Sequence, residues 1–422
     1  MSNKEIIQLL LEKRGIAQDQ QENFLHPDFE RDTHDPFLMK GMDVAVERLG
    51  KALEHKEVVG VFGDYDADGV PATALLVRCL RAAGFQVLAR IPTRASGYGL
   101  TAGVVEEIKK DKLSLLITVD NGTVAKEEVA ALVAAGTDVI ICDHHEPHPD
   151  QIATQALAIL NPKQADCSYP FKELCACAIA WKYMKALYAQ LGLSTDPLKW
   201  ELDLVGLSTI ADMVPLLGEN RVLATYGLKV IRKTRNMGLR QLAAVAGVQL
   251  PDVGAGTIGF SIAPRINAPS RMHAETVAGT NAALQLLTTE DAGEAERLAT
   301  YLNQQNAERQ ALLEQSLKEA EELAGKYLND RCLIVYNADW STGVIGLLAG
   351  RLLEKYSRPV IVLAQEDGVI KGSVRSVGTV HAVYLMEAGA VHLERYGGHA
   401  KAGGLTMKVE TDSAISEFRA LV

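Results

Sequence analysis

The stretch VVGVFGDYDADGVPA (Val58–Ala72) joins an apolar, β-branched run to three alternating carboxylates. Its first five residues have the composition of a buried β-strand. The carboxylates, Asp64, Asp66 and Asp68, are like charges close together in the chain, and they repel one another. Pro71 suits the first turn of a helix, where its missing N–H would have no partner. The stretch therefore predicts a strand, a charged loop and a helix, and something must compensate the charges of the loop.

The alternation of strand and helix patterns continues beyond this stretch. Strands are predicted at Val58–Phe62, Gln86–Ile91, Leu115–Val119, Asp138–Cys142 and Ala156–Leu160, and helices at Pro71–Ala83 and Thr123–Ala135. Each strand run is short and rich in β-branched residues, and helical patterns separate the runs. Alternation of this kind predicts an α/β fold with a parallel, doubly wound sheet.

The remaining chain divides into further predicted segments. Residues 1–50 are predicted as an N-terminal helical arm, 51–245 as the doubly wound domain, 246–328 as a connecting segment with a long helix, and 329–422 as a second, smaller α/β domain. Within the connecting segment, Ala255–Ala274 is rich in Gly and Pro and is predicted to be irregular. Thr288–Leu328 is predicted as one charged helix that bridges the two domains, with a capping-box spacing at Thr288 and Asp291. An ordinary amphipathic surface helix is the alternative.

Composition and charge limit the class of protein. The 422 residues are 48% hydrophobic and 23% charged, which is typical of a globular protein. No run reaches the ~18 apolar residues of a membrane span, the first residues lack a signal-peptide pattern, and the six cysteines show no disulfide or zinc spacing. We therefore expect a cytoplasmic protein with reduced thiols and no membrane contact. The net charge of −10 argues against nucleic-acid binding, unless acidic metal ligands account for part of it.

Acidic and histidine side chains follow three of the predicted strands: Asp64, Asp66 and Asp68 after the first, Asp120 after the third, and Asp143, His144 and His145 after the fourth. In an open parallel sheet the carboxyl ends of neighbouring strands share one crevice, so we expect these groups to converge. Carboxylate oxygens with one or two imidazoles suit Mn²⁺ or Mg²⁺. Two such ions about 3.5–4 Å apart can clamp a phosphate. They would also relieve the repulsion among the loop carboxylates.

A calcium loop is the main alternative for the charged loop. DYDADG resembles the start of an EF-hand, D-x-D-x-D-G. The bidentate Glu of such a loop would stand six residues beyond Gly69, and that position holds Leu75. Taken alone, the charged loop could also be a turn or a non-specific ion site. Taken alone, the two histidines could be an ordinary pair on the protein surface. Their coincidence with Asp120 at three strand ends favours one metal site.

The motifs at these strand ends resemble those of the DHH phosphoesterase family. The resemblance rests on DYDADG (64–69), DNG (120–122), DHH (143–145) and IADMVPL (210–216). GGHAKAGG (397–404) is similar to the Gly-Gly-His signature of the associated DHHA1 domain. Together with APRINAPSRM (263–272), KGSVRS (371–376), WSTGVIG (340–346) and DPFLMKGMDVAVERLGKAL (35–53), the set is similar to the RecJ family of bacterial single-strand-specific 5′→3′ exonucleases. The resemblance covers essentially the whole chain.

The resemblance implies a role for each matching residue. Metal ligands are implied at Asp66, Asp68, Asp120, His144 and Asp212, with Asp120 as the bridge between two Mn²⁺ or Mg²⁺ ions. Catalytic roles are implied for Asp64, in the same shell, and for His145, which would face the scissile phosphate and stabilise charge or assist proton transfer. Substrate phosphates are implied to meet Arg94, Arg265, Arg271, Ser373, Arg375, Gly397, Gly398 and His399. Taken without the resemblance, the two glycines would be a tight turn and the last histidine a packed side chain.

The implied reaction is metal-assisted hydrolysis of single-stranded DNA from the 5′ end to 5′-mononucleotides, in DNA repair and recombination. A groove between the two domains would admit one strand and reject a duplex. Stacking and backbone contacts would make binding tolerant of sequence, and Tyr98, Trp340 and Tyr396 are candidates for stacking. A single-strand-binding protein and a helicase are implied partners, and a monomer is the expected state. The family's C-terminal oligonucleotide-binding-fold domain has no room before Val422, so we expect long DNA to bind weakly.

Two other interpretations stay open. One is a DHH enzyme that acts on short oligonucleotides or small phosphate esters, although such enzymes are typically shorter and lack the N-terminal arm. The other is a replication-scaffold member without activity, against which the intact ligand positions argue. Turnover of a long single strand, compared with that of a dinucleotide in Mn²⁺, would discriminate among them.

Overall fold

The structure is a computed structural model that describes residues 1–93, 97, 99–272, 277–408 and 412–422, and for 277–281 and 412 it describes the backbone alone. The chain forms two compact units. The first comprises Met1–Ser270 and Ala274–Asn303, and the second comprises Arg271–His273 and Gln304–Val422.

The first unit contains a parallel sheet and helices that cover it. In chain order the elements are α1 (Asn3–Lys13), α2 (Gln21–Leu25), α3 (Met42–Glu54), β1 (Val58–Gly63), α4 (Gly69–Ala82), β2 (Gln86–Arg90), α5 (Ala102–Lys110), β3 (Leu115–Val119), α6 (Lys126–Ala134), β4 (Asp138–Cys142), β5 (Ala158–Leu160), α7 (Ala176–Gln190), α8 (Leu202–Ala211), α9 (Gly218–Ile231), α10 (Met237–Val245), α11 (Ala255–Thr257), α12 (Ala263–Arg271) and α13 (Val277–Thr288). The long helix α14 (Ala292–Ala324) follows, and the boundary between the units falls within it.

The sheet of the first unit has the strand order β2-β1-β3-β4-β5, and every neighbouring pair is parallel. Val59 of β1 pairs with Val87 on one side and with Leu115 on the other. The parallel, doubly wound sheet predicted from the sequence is confirmed. Because β2 lies on one side of β1 and the later strands lie on the other, the strand order reverses between β1 and β3. At such a switch point the loops after the two strands separate and leave a crevice.

Alternate side chains of the strands enter two different cores. Val61 and Ile117 belong to the core formed with α3, α4, α7 and α8, whereas Leu116 and Ile141 belong to the core formed with α5 and α6. Strand side chains alternate between faces, so a sheet that is apolar on both faces needs helices on both. Helix α3 spans residue 50, the predicted end of the N-terminal arm, and its buried face is part of the first of these cores.

Residues 255–271, predicted to be irregular, are helical. Helix α11 continues through a π-helical segment (Ile258–Ile262) into α12. Ile258, Ile262 and Ile266 recur every four residues, and all three are buried. Burial of this face outweighs the low helix propensity of the glycines and prolines. The prediction was wrong because it weighed the composition of the segment and not the spacing of its isoleucines.

Helix α14 confirms the predicted connecting helix, although it begins later and ends earlier than the sequence pattern indicated. Asp291 caps it, since its Oδ1 accepts a hydrogen bond from the backbone N–H of Glu294 at 2.7 Å. Thr288 is the last residue of α13. The predicted capping box is therefore wrong in its first member, because that threonine ends the preceding helix and does not flank the start of α14.

The second unit is built on a mixed sheet. Its elements after α14 are β6 (Leu333–Tyr336), α15 (Ile345–Tyr356), β7 (Val360–Glu366), β8 (Val369–Arg375), α16 (Ala382–Ala388), β9 (Leu393–Gly398), β10 (Ala402–Met407) and α17 (Asp412–Leu421). The strand order is β6-β7-β8-β10-β9, with β6 and β7 parallel and the other pairs antiparallel. Helices α14 and α15 cover one face, and α16 and α17 cover the other. The second, smaller α/β domain is confirmed. Across the described ranges no helix is long and apolar enough to cross a membrane.

Candidate metal centre and phosphate-binding residues

The polar side chains predicted from the strand ends converge at the carboxyl edge of the parallel sheet. Three groups of them have ligand atoms within 4.8 Å of one another and could each hold a metal ion: Asp120, His144 and His145; Asp68, His144 and Asp212; and Asp64, Asp66 and Asp120. Asp120 and His144 each belong to two of the groups. The five residues implied as metal ligands and the two implied as catalytic, Asp64 and His145, are therefore brought together.

His144 lies among carboxylates from three separate elements. Its Nε2 is 3.3 Å from Asp120 Oδ1, 3.7 Å from Asp212 Oδ2 and 3.8 Å from Asp68 Oδ2. These carboxylates follow β3, end α8 and begin α4, respectively. A single imidazole thus connects parts of the chain that are distant in sequence, and the tertiary fold assembles the site.

Two of the loop carboxylates are held by helix N-termini. Asp66 Oδ1 accepts hydrogen bonds from the backbone N–H groups of Asp68 and Gly69, at 2.8 and 3.0 Å, where α4 begins. The buried Asp68 carboxylate accepts hydrogen bonds from the backbone N–H groups of Ala176 and Cys177, at 2.7 and 2.9 Å, where α7 begins. Unpaired N–H groups and the helix dipole favour negative charge at both places. The protein itself therefore offsets part of the repulsion within the loop.

The turn after β3 holds Asp120 in the left-handed backbone region, with φ at +65°. Its N–H donates to the carbonyl of Cys142 at 2.9 Å, next to the β3–β4 ladder. The Thr118 hydroxyl donates to the Asn121 carbonyl, and the Asn121 side chain donates to the Val119 carbonyl, both at 3.0 Å. Non-glycine residues in this region are strained, although Asp tolerates it better than most. The surrounding hydrogen bonds therefore fix the turn and direct the carboxylate toward His144.

Asp143 has a role that the sequence analysis did not assign. Its buried carboxylate accepts hydrogen bonds from the backbone N–H groups of Thr123, His144 and His145, at 3.0, 2.8 and 3.2 Å. The Nδ1 atom of His145 lies 2.8 Å from the same Oδ1 of Asp143. Burial alone would raise the pKa of Asp143, but the His145 hydrogen bond and the imidazole charges hold it well below its usual value. Asp143 orients His145, and it belongs to none of the three potential ligand groups.

His145 is also held through its backbone. Asn161, which follows β5, donates from Nδ2 to the His145 carbonyl at 2.9 Å and to the Thr123 hydroxyl at 3.1 Å. Burial lowers the pKa of His145, but its hydrogen bond to Asp143 and the nearby carboxylate charges raise it to about 9. Asn161 is not among the site residues predicted from the sequence. The rule used for the other strands would have found it, because β5 ends at the same edge of the sheet and Asn161 follows it directly.

Asp143→Asn is expected to lower the catalytic rate about 10- to 100-fold, which is the usual range for residues that orient a group at a metal site. The amide has one acceptor oxygen where the carboxylate has two, so either Thr123 or the His145 segment loses its partner. We expect a lower melting temperature as well, because a buried donor is left unpaired. Steady-state kinetics and thermal melting would check both. Asp150→Asn, on an exposed residue of the following loop, is the control, and wild-type activity in Asp143→Asn would contradict the orienting role.

The cluster concentrates negative charge in a buried place. Burial raises the pKa of Asp68, Asp120 and Asp212, and neighbouring carboxylates raise it further, to about 8 for Asp212. Ionisation of these side chains is therefore unfavourable unless a cation lies among them. Oxygen donors with one or two imidazoles are the ligands that Mn²⁺ and Mg²⁺ take. The donor set and its charge fit divalent cations of this kind.

In the second unit, three of the predicted phosphate contacts lie near the start of α15. A Cβ atom at Gly346 would be 3.2 Å from Arg375 Nη2 and 3.3 Å from Ser373 Oγ. Arg375 Nη1 donates to Ser373 Oγ at 3.2 Å. Arg271 Nη1 donates to the carbonyl of Gly343, in the loop before α15, at 3.4 Å. Arginine and hydroxyl donors beside a helix N-terminus suit a phosphate group.

The Gly-Gly-His segment lies across the sheet from the same residues. Gly397 of β9 pairs with Gly404 of β10, and Gly404 pairs in turn with Ser373 of β8. His399 is exposed in the turn between β9 and β10. Gly398 has φ at +145°, and a Cβ there would lie 2.4 Å from a carbonyl oxygen of the opposite strand. The turn therefore requires glycine at this position, and the contact of this segment with phosphate stays a prediction.

Arg265 belongs to the first unit. Its Nε donates to Asn303 Oδ1 at 2.9 Å, and its Nη1 donates to the Ser261 carbonyl at 2.6 Å. Its role toward phosphate stays a prediction. Arg94 and Tyr98, the other predicted contacts in the first unit, lie outside the described residues.

One candidate for base stacking is wrong. Trp340 is 3% exposed, and its indole N–H donates to Glu319 Oε2 of α14 at 2.8 Å. An indole in the core with its N–H satisfied cannot offer a face to a nucleobase. Tyr396 of β9 is 41% exposed, and its role in stacking stays a prediction.

Comparison with known proteins agrees with this architecture. Residues 58–209 match the family model "DHH family, N-terminal domain", and residues 329–422 match the DHHA1 domain. The chain is 39% identical over 410 residues to the single-stranded-DNA-specific exonuclease RecJ of Bacillus subtilis (strain 168), covering 96% of this chain and 50% of that protein. It is 34% identical over 437 residues to the RecJ of Dickeya dadantii (strain 3937), covering 98% of this chain and 73% of that protein.

A solved structure is similar over nearly the whole chain. The crystal structure of RecJ from Thermus thermophilus in complex with Mn²⁺ has a TM-score of 0.82 at 33% identity, covering 98% of this chain and 57% of that chain. The complex of the RecJ from the same organism with Mg²⁺ has a TM-score of 0.75 at 31% identity, covering 98% of this chain and 55% of that chain. Both cations expected from the donor set thus occur in relatives of the same fold.

The fold and the two family matches place the chain in the DHH family, with an associated DHHA1 domain. Within that class, the chain belongs to the RecJ family, and the resemblance found in its sequence motifs is confirmed. The chain spans half the length of the Bacillus relative and 73% of the Dickeya relative.

Proposed function

We propose that this chain is a metal-dependent phosphodiesterase that hydrolyses single-stranded DNA from the 5′ end to 5′-mononucleotides, in DNA repair and recombination. The observation that carries the proposal is the convergence of five carboxylates and two histidines at the switch point of a parallel sheet. The RecJ relatives from Bacillus and Dickeya are single-stranded-DNA-specific exonucleases. Family membership and an intact donor set together support the same reaction in this chain.

Two Mn²⁺ or Mg²⁺ ions are part of the proposal. One would be held by Asp64, Asp66 and Asp120, and the other by Asp68, His144 and Asp212. The predicted bridging role of Asp120 is supported by its membership of two groups and by its distance of 3.3 Å from His144 Nε2. When bound, such ions lower the pKa of a coordinated water and neutralise charge on a phosphate.

The protein's own groups orient the reactants and hold protons around this cluster. His145, with Nδ1 at Asp143, is proposed to stabilise negative charge on the scissile phosphate. Although burial lowers the pKa of His145, its hydrogen bond to Asp143 raises it, which favours the protonated imidazole that this role requires. Asp143 holds the imidazole ring in one orientation. The ring therefore loses little conformational freedom when the phosphate binds. Asp64 is buried next to Asp66 and Asp120 and is proposed to complete the same shell.

The second unit is proposed to bind phosphates of the strand. Arg271, Ser373 and Arg375 supply cationic and hydroxyl donors near the start of α15. His399 is exposed in the turn after β9 and would add a donor. Contacts to phosphate rather than to base edges carry no sequence information, so this unit would bind strands of any sequence.

The proposal predicts a difference between the two ends of a substrate. The purified chain is given a long single-stranded DNA with Mn²⁺, labelled at the 5′ end or at the 3′ end in separate reactions. We expect the 5′ label to appear at once as mononucleotide, while the 3′-labelled strand shortens progressively. A 3′ label that is released first would overturn the proposed direction, and duplex DNA degraded at the same rate would overturn strand specificity.

Short substrates are a second candidate. The net charge of −10 is unfavourable for a long polyanion, because each bound phosphate must be neutralised. If dinucleotides or short RNAs are hydrolysed faster than a long strand, the protein is a DHH enzyme for short oligonucleotides or small phosphate esters. A chain that binds Mn²⁺ and cleaves none of these would be an inactive scaffold member, against which the complete donor set argues.

We also propose that the protein works as a cytoplasmic monomer, with a single-strand-binding protein and a helicase as partners. All six cysteines are free and buried, which is consistent with a reducing compartment. Sedimentation of the purified chain would check the monomer, and co-sedimentation with each partner class would check the interactions.

A further inference from the structure

The loop after β5 brings a lysine to the metal cluster. Lys163 follows Asn161 and Pro162 at the carboxyl edge of the sheet. Its backbone N–H donates to Asn161 Oδ1 at 2.9 Å, and the side-chain amide of Asn161 donates to the His145 carbonyl at 2.9 Å. Two successive hydrogen bonds therefore tie the backbone of the lysine to the histidine segment of the site.

The ammonium group of Lys163 lies between two glutamates. Its Nζ is 3.0 Å from Glu146 Oε1 and 3.8 Å from Glu173 Oε2. Glu146 directly follows His145, and Glu173 shortly precedes the helix whose first N–H groups hold Asp68. The lysine side chain is 16% exposed, whereas the glutamates are 59% and 46% exposed. Pairs with exposed carboxylates add little to stability, so they do not account for a lysine held at this place.

The ammonium group of Lys163 lies beside two segments that contribute to the cluster. Its partner at 3.0 Å, Glu146, is the residue after His145. Its partner at 3.8 Å, Glu173, lies three residues before Ala176, whose N–H holds Asp68. A positive charge is therefore placed next to the negative cluster.

We propose that Lys163 binds a non-bridging oxygen of the phosphate that is cleaved at the carboxylate–histidine cluster. This inference rests on the proposed function. The carboxylates of the cluster repel a phosphate, and a fixed cation at the edge of the cluster offsets part of that repulsion. An ammonium is a compact point charge with three hydrogen-bond donors, so it can bind an oxygen from several directions. Lys163 could therefore leave an exposed glutamate and bind a phosphate oxygen in its place.

Lys163→Met tests the proposal, because methionine keeps most of the apolar stem and removes the charge. We expect kcat/KM on single-stranded DNA to fall about 10- to 100-fold, which is the usual effect of losing a charged hydrogen bond. The affinity for 5′-dTMP in the presence of Mn²⁺, measured by calorimetry without turnover, should fall about tenfold or more for the same reason. The affinity for Mn²⁺ alone should be unchanged or higher, since the variant has lost a cation. Lys163→Arg should restore most of the loss.

Lys51→Met is the matched control. Lys51 is an exposed residue of α3 that pairs with Glu47 at 2.6 Å, so the same substitution removes a similar surface pair at another place. Its kinetics and 5′-dTMP affinity should match those of the wild type. Wild-type values in Lys163→Met would overturn the proposal, and so would a joint fall in melting temperature and Mn²⁺ affinity, which would indicate a structural role. Wild-type protein that fails to degrade single-stranded DNA would reject the proposed function instead, and the comparison of 5′-dTMP affinities would still decide the role of the lysine.

Discussion

Asp120→Asn is expected to abolish hydrolysis and, at the same time, to stabilise the metal-free protein. Asp120 belongs to the group proposed for one ion, and its Oδ1 lies 3.3 Å from Nε2 of His144, which belongs to the group proposed for the other. Replacing one charged oxygen by an amide should therefore weaken both proposed ion sites. Metal ions supply several kcal/mol of transition-state stabilisation, and we therefore expect kcat to fall about 10³-fold or more. Without divalent ions, the same substitution replaces a buried carboxyl that is unfavourable to ionise by an amide that stays neutral. Burial and the neighbouring Asp66 and Asp68 raise the pKa of that carboxyl, which shows that its ionised form is unfavourable there.

Thermal melting with and without Mn²⁺ would show the two opposite effects of Asp120→Asn. Mn²⁺ should raise the melting temperature of the wild type and change that of the variant much less. Asn tolerates the left-handed region, where Asp120 has φ at +65°, so the substitution adds no backbone strain. Asp166→Asn, which removes an exposed ion pair with Lys40, is the control and should change neither property. A metal-free variant that melts below the wild type would contradict the electrostatic argument.

Lys182→Met is expected to cost about 3–5 kcal/mol of unfolding free energy, the usual loss when one partner of a buried ion pair is removed. Lys182 and Glu219 form an ion pair in which both side chains are fully buried. Glu219 also accepts hydrogen bonds from the Tyr169 hydroxyl at 2.6 Å and from the His34 N–H at 3.0 Å, and Lys182 donates to the His34 carbonyl at 2.6 Å. The substitution leaves a buried carboxylate without its countercharge.

A double variant separates the charge effect from packing. In Lys182→Met with Glu219→Gln the remaining partner is neutral, and its amide oxygen can still accept a hydrogen bond from Tyr169. We expect the double variant to recover part of the loss, as measured by urea unfolding. Lys185→Met, on the same helix, removes a partly exposed lysine that lies over the Trp181 ring at 5.6 Å, and it should cost at most about 1 kcal/mol. If Lys182→Met costs no more than this control, the pair does not stabilise the fold.

This buried pair also supports the metal site. Lys182 lies on α7, and the first N–H groups of this helix donate to the Asp68 carboxylate. His34, which both members of the pair contact, belongs to the N-terminal segment predicted as an arm. The N-terminal segment therefore takes part in fixing the helix that holds one of the potential metal ligands.

Much of the fold and of the metal site could be predicted from local patterns. The strands are short β-branched runs, and each is bounded by polar or helical sequence, so their existence depended on neighbouring residues in the chain. Parallel strands present their carboxyl ends at one edge, and this rule was enough to bring Asp64, Asp120 and His144 together from the sequence alone. The alternation of strand and helix patterns along the chain likewise predicted a doubly wound parallel sheet.

What the tertiary structure decided is the partner of each side chain. Asp68 and Asp143 are both aspartates in the loops that follow strands, yet one lies among potential metal ligands and the other orients His145. A tryptophan can serve in a core or stack on a base, and its composition does not distinguish the two. The burial of Trp340 against α14 removed it from the stacking candidates. The helical path of residues 255–271 likewise depended on the core that its isoleucines enter.

Elements could be predicted and side-chain partners could not, because the two depend on residues at different distances along the chain. The period and composition of an element are fixed by residues within a few positions of one another, so they are readable in sequence. The N–H groups that hold the Asp68 carboxylate come from residues 108 and 109 positions away. Hydrogen-bond partners, burial and the resulting pKa values depend on such distant encounters. The sequence therefore determined the strands, their order of appearance and the chemistry of their ends, and the packing of the whole unit determined which of those groups bind, which orient and which are buried.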